Sequence, residues 1–146
     1  MIEKTGSLLN SKEDIILHQV NVQGVMGGGL AYAIASKYPD IENEYEKYVD
    51  DIKNEDELLG TVCFGETEDF HIANCFSQNA YFETDYEALE KCISEVKKYM
   101  QENNLKTVAI PHRYGCGIAS GNWDIVSKIF EENFENIYVY NIHKEE

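Results

Sequence analysis

The chain has 146 residues, with 27 acidic against 12 basic side chains, a net charge of −15 and 43% apolar residues. Length and apolar content fit one ordinary domain with its own core and exclude a disordered chain. The charge excludes generic binding to bulk nucleic acid or to an anionic membrane, both of which repel it.

No apolar run approaches the roughly 20 residues of a membrane span. Met1-Ile2-Glu3-Lys4-Thr5 lacks the basic start and apolar stretch of a signal peptide. Cys63, Cys75, Cys92 and Cys116 form no C-x-x-C pair and show no zinc spacing. These features predict reduced thiols in a cytoplasmic protein, and no linker or repeat divides residues 1–146.

The run D-I-I-L-H-Q-V over residues 14–20 reads as a buried strand ending at Asn21. A glycine loop follows, then a short helix over about residues 30–37 that Pro39 stops. Ile41, Tyr45, Tyr48 and Ile52 recur at helical spacing and mark a second, acidic helix, read as a solvated face. Residues 60–65 and 70–76 read as strands joined by the acidic turn Glu66-Thr67-Glu68-Asp69. Thr84 and Glu87 form a T-x-x-E pattern, predicting a capping box ahead of the stripe Leu89, Cys92, Val96 and Tyr99. Asn103-Asn104 end that helix. Residues 106–111 read as a strand leading into a second glycine loop. Asn122 can cap a further helix to about Asn133, buried through Val126, Ile129 and Phe130, and residues 137–142 close the chain as a strand. Strands alternating with helices predict an α/β sheet covered on both faces.

Twice, then, a buried strand ends in a glycine loop that opens a helix: Asn21-Val22-Gln23-Gly24-Val25-Met26-Gly27-Gly28-Gly29, and Tyr114-Gly115-Cys116-Gly117-Ile118-Ala119-Ser120-Gly121. Ligands of α/β sheets sit beyond the carboxyl ends of the strands, and glycine lets backbone N–H groups approach them closely. A pair of such loops, with only Arg113 cationic nearby, suits a diphosphate held mainly by backbone N–H groups and helix N-termini. There is no G-K-[ST] and no G-x-G-x-x-G, so neither a Walker A loop nor a dinucleotide fingerprint is present. No histidine pair has metal-ligand spacing, and neither a metal nor a cofactor is expected.

The segment from His18 through Ala31, together with Ile110-Pro111 and Gly115-Cys116-Gly117-Ile118 ahead of Trp123, resembles the macrodomain family, the ADP-ribose-binding α/β fold. The likeness runs from about Thr5 to Ile142 and implies a three-layer domain: a mixed central sheet with helices on both faces. It implies ADP-ribose or a small derivative as ligand, or an ADP-ribosylated protein. The first loop would contribute Asn21, Gly24, Val25, Met26, Gly27, Gly28, Gly29 and Leu30. The second would contribute Pro111, Gly115, Cys116, Gly117, Ile118 and Ala119. Ser7 and Leu8 would lie near the base, Ser7 standing where many macrodomains have an aspartate.

The pattern H-x-x-N-x-x-G-x-x-G-G-G-x-A-Y from His18 to Tyr32 is similar to the yeast-type ADP-ribose 1″-phosphate phosphatase branch. That branch implies catalysis by His18 with an acid from the loop over residues 77–85, here Glu83 or Asp85. A related branch removes ADP-ribose from protein carboxylates with a loop lysine and an aspartate. Here no Lys or Arg lies between Lys53 and Lys91, and Ala119 takes the aspartate position. The leading expectation is hydrolysis of ADP-ribose 1″-phosphate to ADP-ribose and phosphate. Rivals are hydrolysis of ADP-ribosyl esters on protein carboxylates or acetate, and a non-catalytic reader. Phe76, Tyr81 and Phe82 are candidates to cover the sugar or base. Cys116, between glycines near a helix start, is where a thiol can be acidified, but it has no evident base and reads as a small loop residue.

Overall fold

A run of apolar residues with no polar alternation implies a strand covered on both faces. Ile15, Ile16, Leu17 and His18 of β2 (Ile15–Gln19) are all buried. Around it the computed structural model, which describes residues 1–24, 26, 29–116, 119 and 121–142, contains β1 (Ile2–Thr5), a 3-10 turn (Leu8–Asn10), α1 (Gly29–Lys37), α2 (Pro39–Ile52) and α3 (Glu55–Leu58). The chain continues through β3 (Val62–Glu66), β4 (His71–Cys75), α4 (Tyr86–Glu102), β5 (Val108–Pro111), α5 (Trp123–Asn133) and β6 (Ile137–Asn141).

The strands form a six-stranded sheet in the order β1-β6-β5-β2-β4-β3. All neighbours are parallel except β3, which runs antiparallel to β4. Alternate residues feed opposite layers. Ile15 and Leu17 join Ala73, Val108, Ile110 and Val139 against Leu89, Ile93 and Val96 of α4 and Phe130 of α5. Ile16 and Val20 join Ile72 and Ala109 against Ile34 of α1, Ile41 and Tyr45 of α2, and Leu58 of α3. This is the three-layer α/β arrangement the sequence predicts. The four cysteines are free and buried, and among the described residues no helix is long and apolar enough to cross a membrane.

Pro39 does more than end α1: it occupies the first turn of α2, where its fixed φ suits helix entry. Asn122 caps α5 as expected, its Oδ1 accepting from Asp124 N and Ile125 N. The predicted capping box of α4 is corrected. Asp85 is the cap, its Oδ1 accepting from Ala88 N at 2.9 Å, while the Thr84 hydroxyl is drawn away to the Gly115 carbonyl. Strand β1, the 3-10 turn and α3 have no counterpart in the sequence reading.

Candidate functional site

Because β2, β4 and β5 are adjacent and parallel, the segments leaving their carboxyl ends emerge at one edge of the sheet. The first glycine loop leaves β2, residues 76–85 leave β4, and the second glycine loop leaves β5. Asn21 starts the first loop as an Asx turn, its Oδ1 accepting from Gln23 N at 3.0 Å. The buried Tyr45 of α2 donates to the Asn21 carbonyl at 2.9 Å and stacks on Phe76, with ring centroids 5.6 Å apart. Gly24 has φ +84°, and a Cβ there would lie 3.3 Å from Val49 Cγ1, so both backbone and space favour glycine. Met26 is buried, and Leu30 is half-buried. Gly29 also has a positive φ, +54°. Val25, Gly27 and Gly28, assigned to the ligand by resemblance, lie outside the described residues.

The second loop is pinned more heavily. Tyr114 N donates to Pro111 O, Cys116 N to Arg113 O at 2.8 Å, and Gly121 N to Gly115 O at 2.9 Å. The Arg113 guanidinium folds back on the Cys116 carbonyl at 3.0 Å. Gly115 has φ +67°. Ala119 is buried, and its carbonyl accepts from Thr84 N. Gly117 and Ile118 lie outside the described residues. Burial raises the Cys116 thiol above its ordinary range, with Arg113 opposing, and its Sγ–H points to Tyr114 O at 3.1 Å. Burial and the bond to Tyr114 O thus work against an acidified thiol at this position. Near the amino terminus, Ser7 Oγ caps the 3-10 turn by accepting from Leu9 N, and Leu8 is a core residue.

His18 is 1% exposed and faces the α1–α2 layer. Its Nε2 lies 2.6 Å from Asn74 Oδ1, and Asn74 Nδ2 donates to Cys63 O at 3.0 Å. That second bond orients the amide, so Asn74 presents its oxygen and His18 carries its proton on Nε2. Burial lowers the imidazole to about 4, with the Asn74 bond opposing, so the ring is neutral near pH 7. Nδ1 is then an acceptor, buried and without a partner among the described residues.

Residues 79–83 form a tight turn. Asn79 Oδ1 accepts from Tyr81 N at 2.9 Å and Glu83 N at 3.0 Å, and Phe82 takes φ +62°. The turn leaves Tyr81 81% and Phe82 54% exposed, and its Ala80 carbonyl accepts from Gln23 Nε2 of the first loop. Phe76 is not a cover for ligand: it is wholly buried between Tyr45 and Tyr48. Neither candidate acid meets His18. Glu83 is exposed and bonded within its own turn, and the Asp85 carboxylate is engaged as the α4 cap.

The sequence reading passed over Asn74, Gln19 and Ser77, and took Thr84 only as a cap. Ser77 Oγ lies 2.8 Å from Gln19 Oε1 and 2.7 Å from the Tyr114 hydroxyl, and Gln19 Nε2 lies 3.1 Å from Thr84 Oγ1. The available signal was polar side chains inside otherwise apolar strand ends, which must find partners when buried.

These features define a three-layer α/β domain with its irregular segments gathered at the carboxyl edge of a mixed sheet. The chain belongs to the Macro domain family, whose model matches residues 17–130. It is 25% identical to the human ADP-ribose glycohydrolase OARD1, covering 85% of this chain and 76% of that protein. It is 24% identical to an ADP-ribose 1″-phosphate phosphatase of Candida albicans, covering 95% and 92%. Among solved structures, Thermosipho africanus DarTG in complex with ADP-ribose superposes with a TM-score of 0.79 at 18% identity, covering 97% of this chain and 41% of that one.

Proposed function

We propose that the protein binds ADP-ribose across its paired glycine loops and hydrolyses a small ADP-ribose derivative, with removal of the 1″-phosphate as the leading reaction. The observation that carries the binding reading is the rise of both loops from the adjacent parallel strands β2 and β5, at the sheet edge where α/β domains hold ligands. Positive φ at Gly24, Gly29 and Gly115 supports this reading, because glycine backbone of this kind allows N–H groups to turn towards an anion. Relatives named as an ADP-ribose glycohydrolase and an ADP-ribose 1″-phosphate phosphatase support hydrolysis as the reaction class.

In this reading His18 is the acid or base. Its neutral ring, with Nδ1 as lone-pair acceptor, is the form a general base requires. A non-catalytic reader is the second reading, favoured by the burial of His18 and by the engagement of Asp85 as a helix cap.

The test is thermal unfolding with ADP-ribose, AMP, ATP and NAD side by side, followed by phosphate release from ADP-ribose 1″-phosphate. A ligand at 100 times its Kd adds about 2.7 kcal/mol, a rise of several degrees in Tm for a chain of this length. ADP-ribose is expected to give the largest shift, and phosphate release is expected to vanish in His18→Gln. No shift with ADP-ribose overturns the binding reading. A shift without turnover leaves the reader, and turnover that survives His18→Gln removes His18 from the reaction.

A further inference from the structure

On the α4–α5 side of the sheet edge, hydroxyl and amide groups close a circuit that starts and ends in the second glycine loop. Ser77 Oγ is nearer to Gln19 Oε1 (2.8 Å) than to Cys75 O (3.5 Å), and an amide oxygen only accepts, so Ser77 donates its hydrogen to Gln19. Tyr114 must then donate to Ser77, across 2.7 Å. From its other end, Gln19 Nε2 donates to Thr84 Oγ1 at 3.1 Å, and Thr84 donates its own hydrogen to the Gly115 carbonyl. A flipped Gln19 amide would claim the Thr84 hydrogen and take it from Gly115. The circuit therefore has one direction: Tyr114 to Ser77 to Gln19, and Gln19 to Thr84 to Gly115. Burial, reinforced by the nearby Cys75 and Cys92 thiols, raises the Tyr114 phenol well above its ordinary range, so the hydrogen that starts the chain stays in place.

The circuit presses on the loop backbone. A Cβ on Gly115 would lie 2.7 Å from Thr84 Oγ1 and 3.0 Å from Gln19 Oε1, in a residue whose φ is already +67°. A Cβ on Gly121 would lie 2.5 Å from the Gly115 carbonyl, the same oxygen that accepts from Gly121 N. Thr84 also donates its backbone N–H to Ala119 O at 3.1 Å, gripping the loop on both sides of positions 117 and 118. Asp85 N donates to Ser77 O at 2.8 Å, which closes the base of the segment that carries Tyr81 and Phe82.

We propose that Gln19, Ser77 and Thr84 are positioning residues whose hydrogen-bond circuit sets the backbone of the second glycine loop, and through it the affinity for the diphosphate. The ligand half of this inference rests on the ADP-ribose reading above; the loop half does not. A hydrogen-bonded network with every member satisfied rigidifies what it joins; here Ser77 is buried, and Gln19 and Thr84 are half-buried. Here it joins the end of β2, both ends of the 77–85 segment and the loop after β5.

Thr84→Val keeps the shape and removes the hydroxyl, Thr84→Ser restores it, and Ser77→Ala cuts the circuit at a second point. The readouts are ADP-ribose affinity by calorimetry and hydrogen exchange of the Gly121 amide, whose acceptor is the Gly115 carbonyl. Thr84→Val and Ser77→Ala are expected to weaken ADP-ribose binding roughly tenfold, the scale of one buried hydrogen bond, and to speed Gly121 exchange. Thr84→Ser should stay within about twofold of the wild type in affinity. Wild-type affinity and Gly121 protection in both Thr84→Val and Ser77→Ala would overturn the inference. If the wild type itself does not bind ADP-ribose, the proposed function falls, and exchange at Gly121 alone decides: acceleration in Thr84→Val upholds the loop-setting circuit, and no change overturns it.

Discussion

His18 and Gln19 are consecutive on β2 and face opposite layers, and their surroundings differ in kind. His18 faces the α1–α2 layer, where its partner is Asn74 and one ring nitrogen has none among the described residues. Gln19 faces the α4–α5 side, where both ends of its amide are used and the chain of bonds returns to the loop it left. A buried acceptor without a partner costs about 1–3 kcal/mol, whereas a satisfied network costs little and adds rigidity. One step of the strand's alternation thus separates the residue proposed as acid or base from the residue proposed to position the loop. The difference in surroundings follows from the two-residue period of β2.

Acid should break this comparison most strongly. The pKa of His18 is lowered by burial from 6.5 to about 4. Between those values the unfolded chain binds the proton and the folded chain does not. Stability is therefore complete above about pH 6.5 and falls as the pH drops towards 4, by on the order of 3 kcal/mol. Urea midpoints across this window should fall in the wild type and stay flatter in His18→Gln. Glu13 acts in a lower window. Burial works to raise its carboxyl, but hydrogen bonds from Tyr140, Lys4 and Ser11 outweigh it, so its contribution is lost only below 4.5. Equal pH slopes in wild type and His18→Gln would show that His18 is hydrated, and the contrast with Gln19 would disappear.

Asn74→Ala tests the same pair from the other strand. It leaves the His18 Nε2–H buried without an acceptor and removes the bond to Cys63 O, for an expected loss of about 2 kcal/mol by urea unfolding. A loss below about 0.5 kcal/mol, the range of an ordinary surface substitution, would mean that another group or water satisfies the ring.

How much of this was legible in the sequence follows from the range of each interaction. The buried strand at β2 and the stripes of α4 and α5 are local patterns, and they stand within a residue or two of the predicted bounds. The glycine loops were legible because backbone with positive φ, as at Gly24 and Gly115, demands glycine at a fixed place. Strand β1 was not: Ile2-Glu3-Lys4-Thr5 lies at the sheet edge, largely exposed, and only its pairing with β6 makes it a strand. Thr84 shows the limit most clearly. Its local pattern favours a helix cap, but a partner far along the chain, Gly115, takes its hydroxyl and leaves the cap to Asp85. The Gln19 bonds to Ser77 and Thr84 span 58 and 65 residues, beyond any sequence period.

The smallest expected effect concerns Asp85, at the end of the 77–85 segment. Its backbone N–H closes the segment at Ser77 O, and its carboxylate caps α4 through Ala88 N. If capping is its whole role, Asp85→Asn should keep the stability and any phosphate release of the wild type, because an amide oxygen caps as well. Asp85→Ala should then cost about 1 kcal/mol in chemical unfolding. An Asp85→Asn protein that is as stable as the wild type but releases no phosphate would show that the negative charge itself acts on substrate. In that case the chemistry would draw on both faces of β2, His18 from one and Asp85 from the other, and the separation of a reactive face from a positioning face would fail.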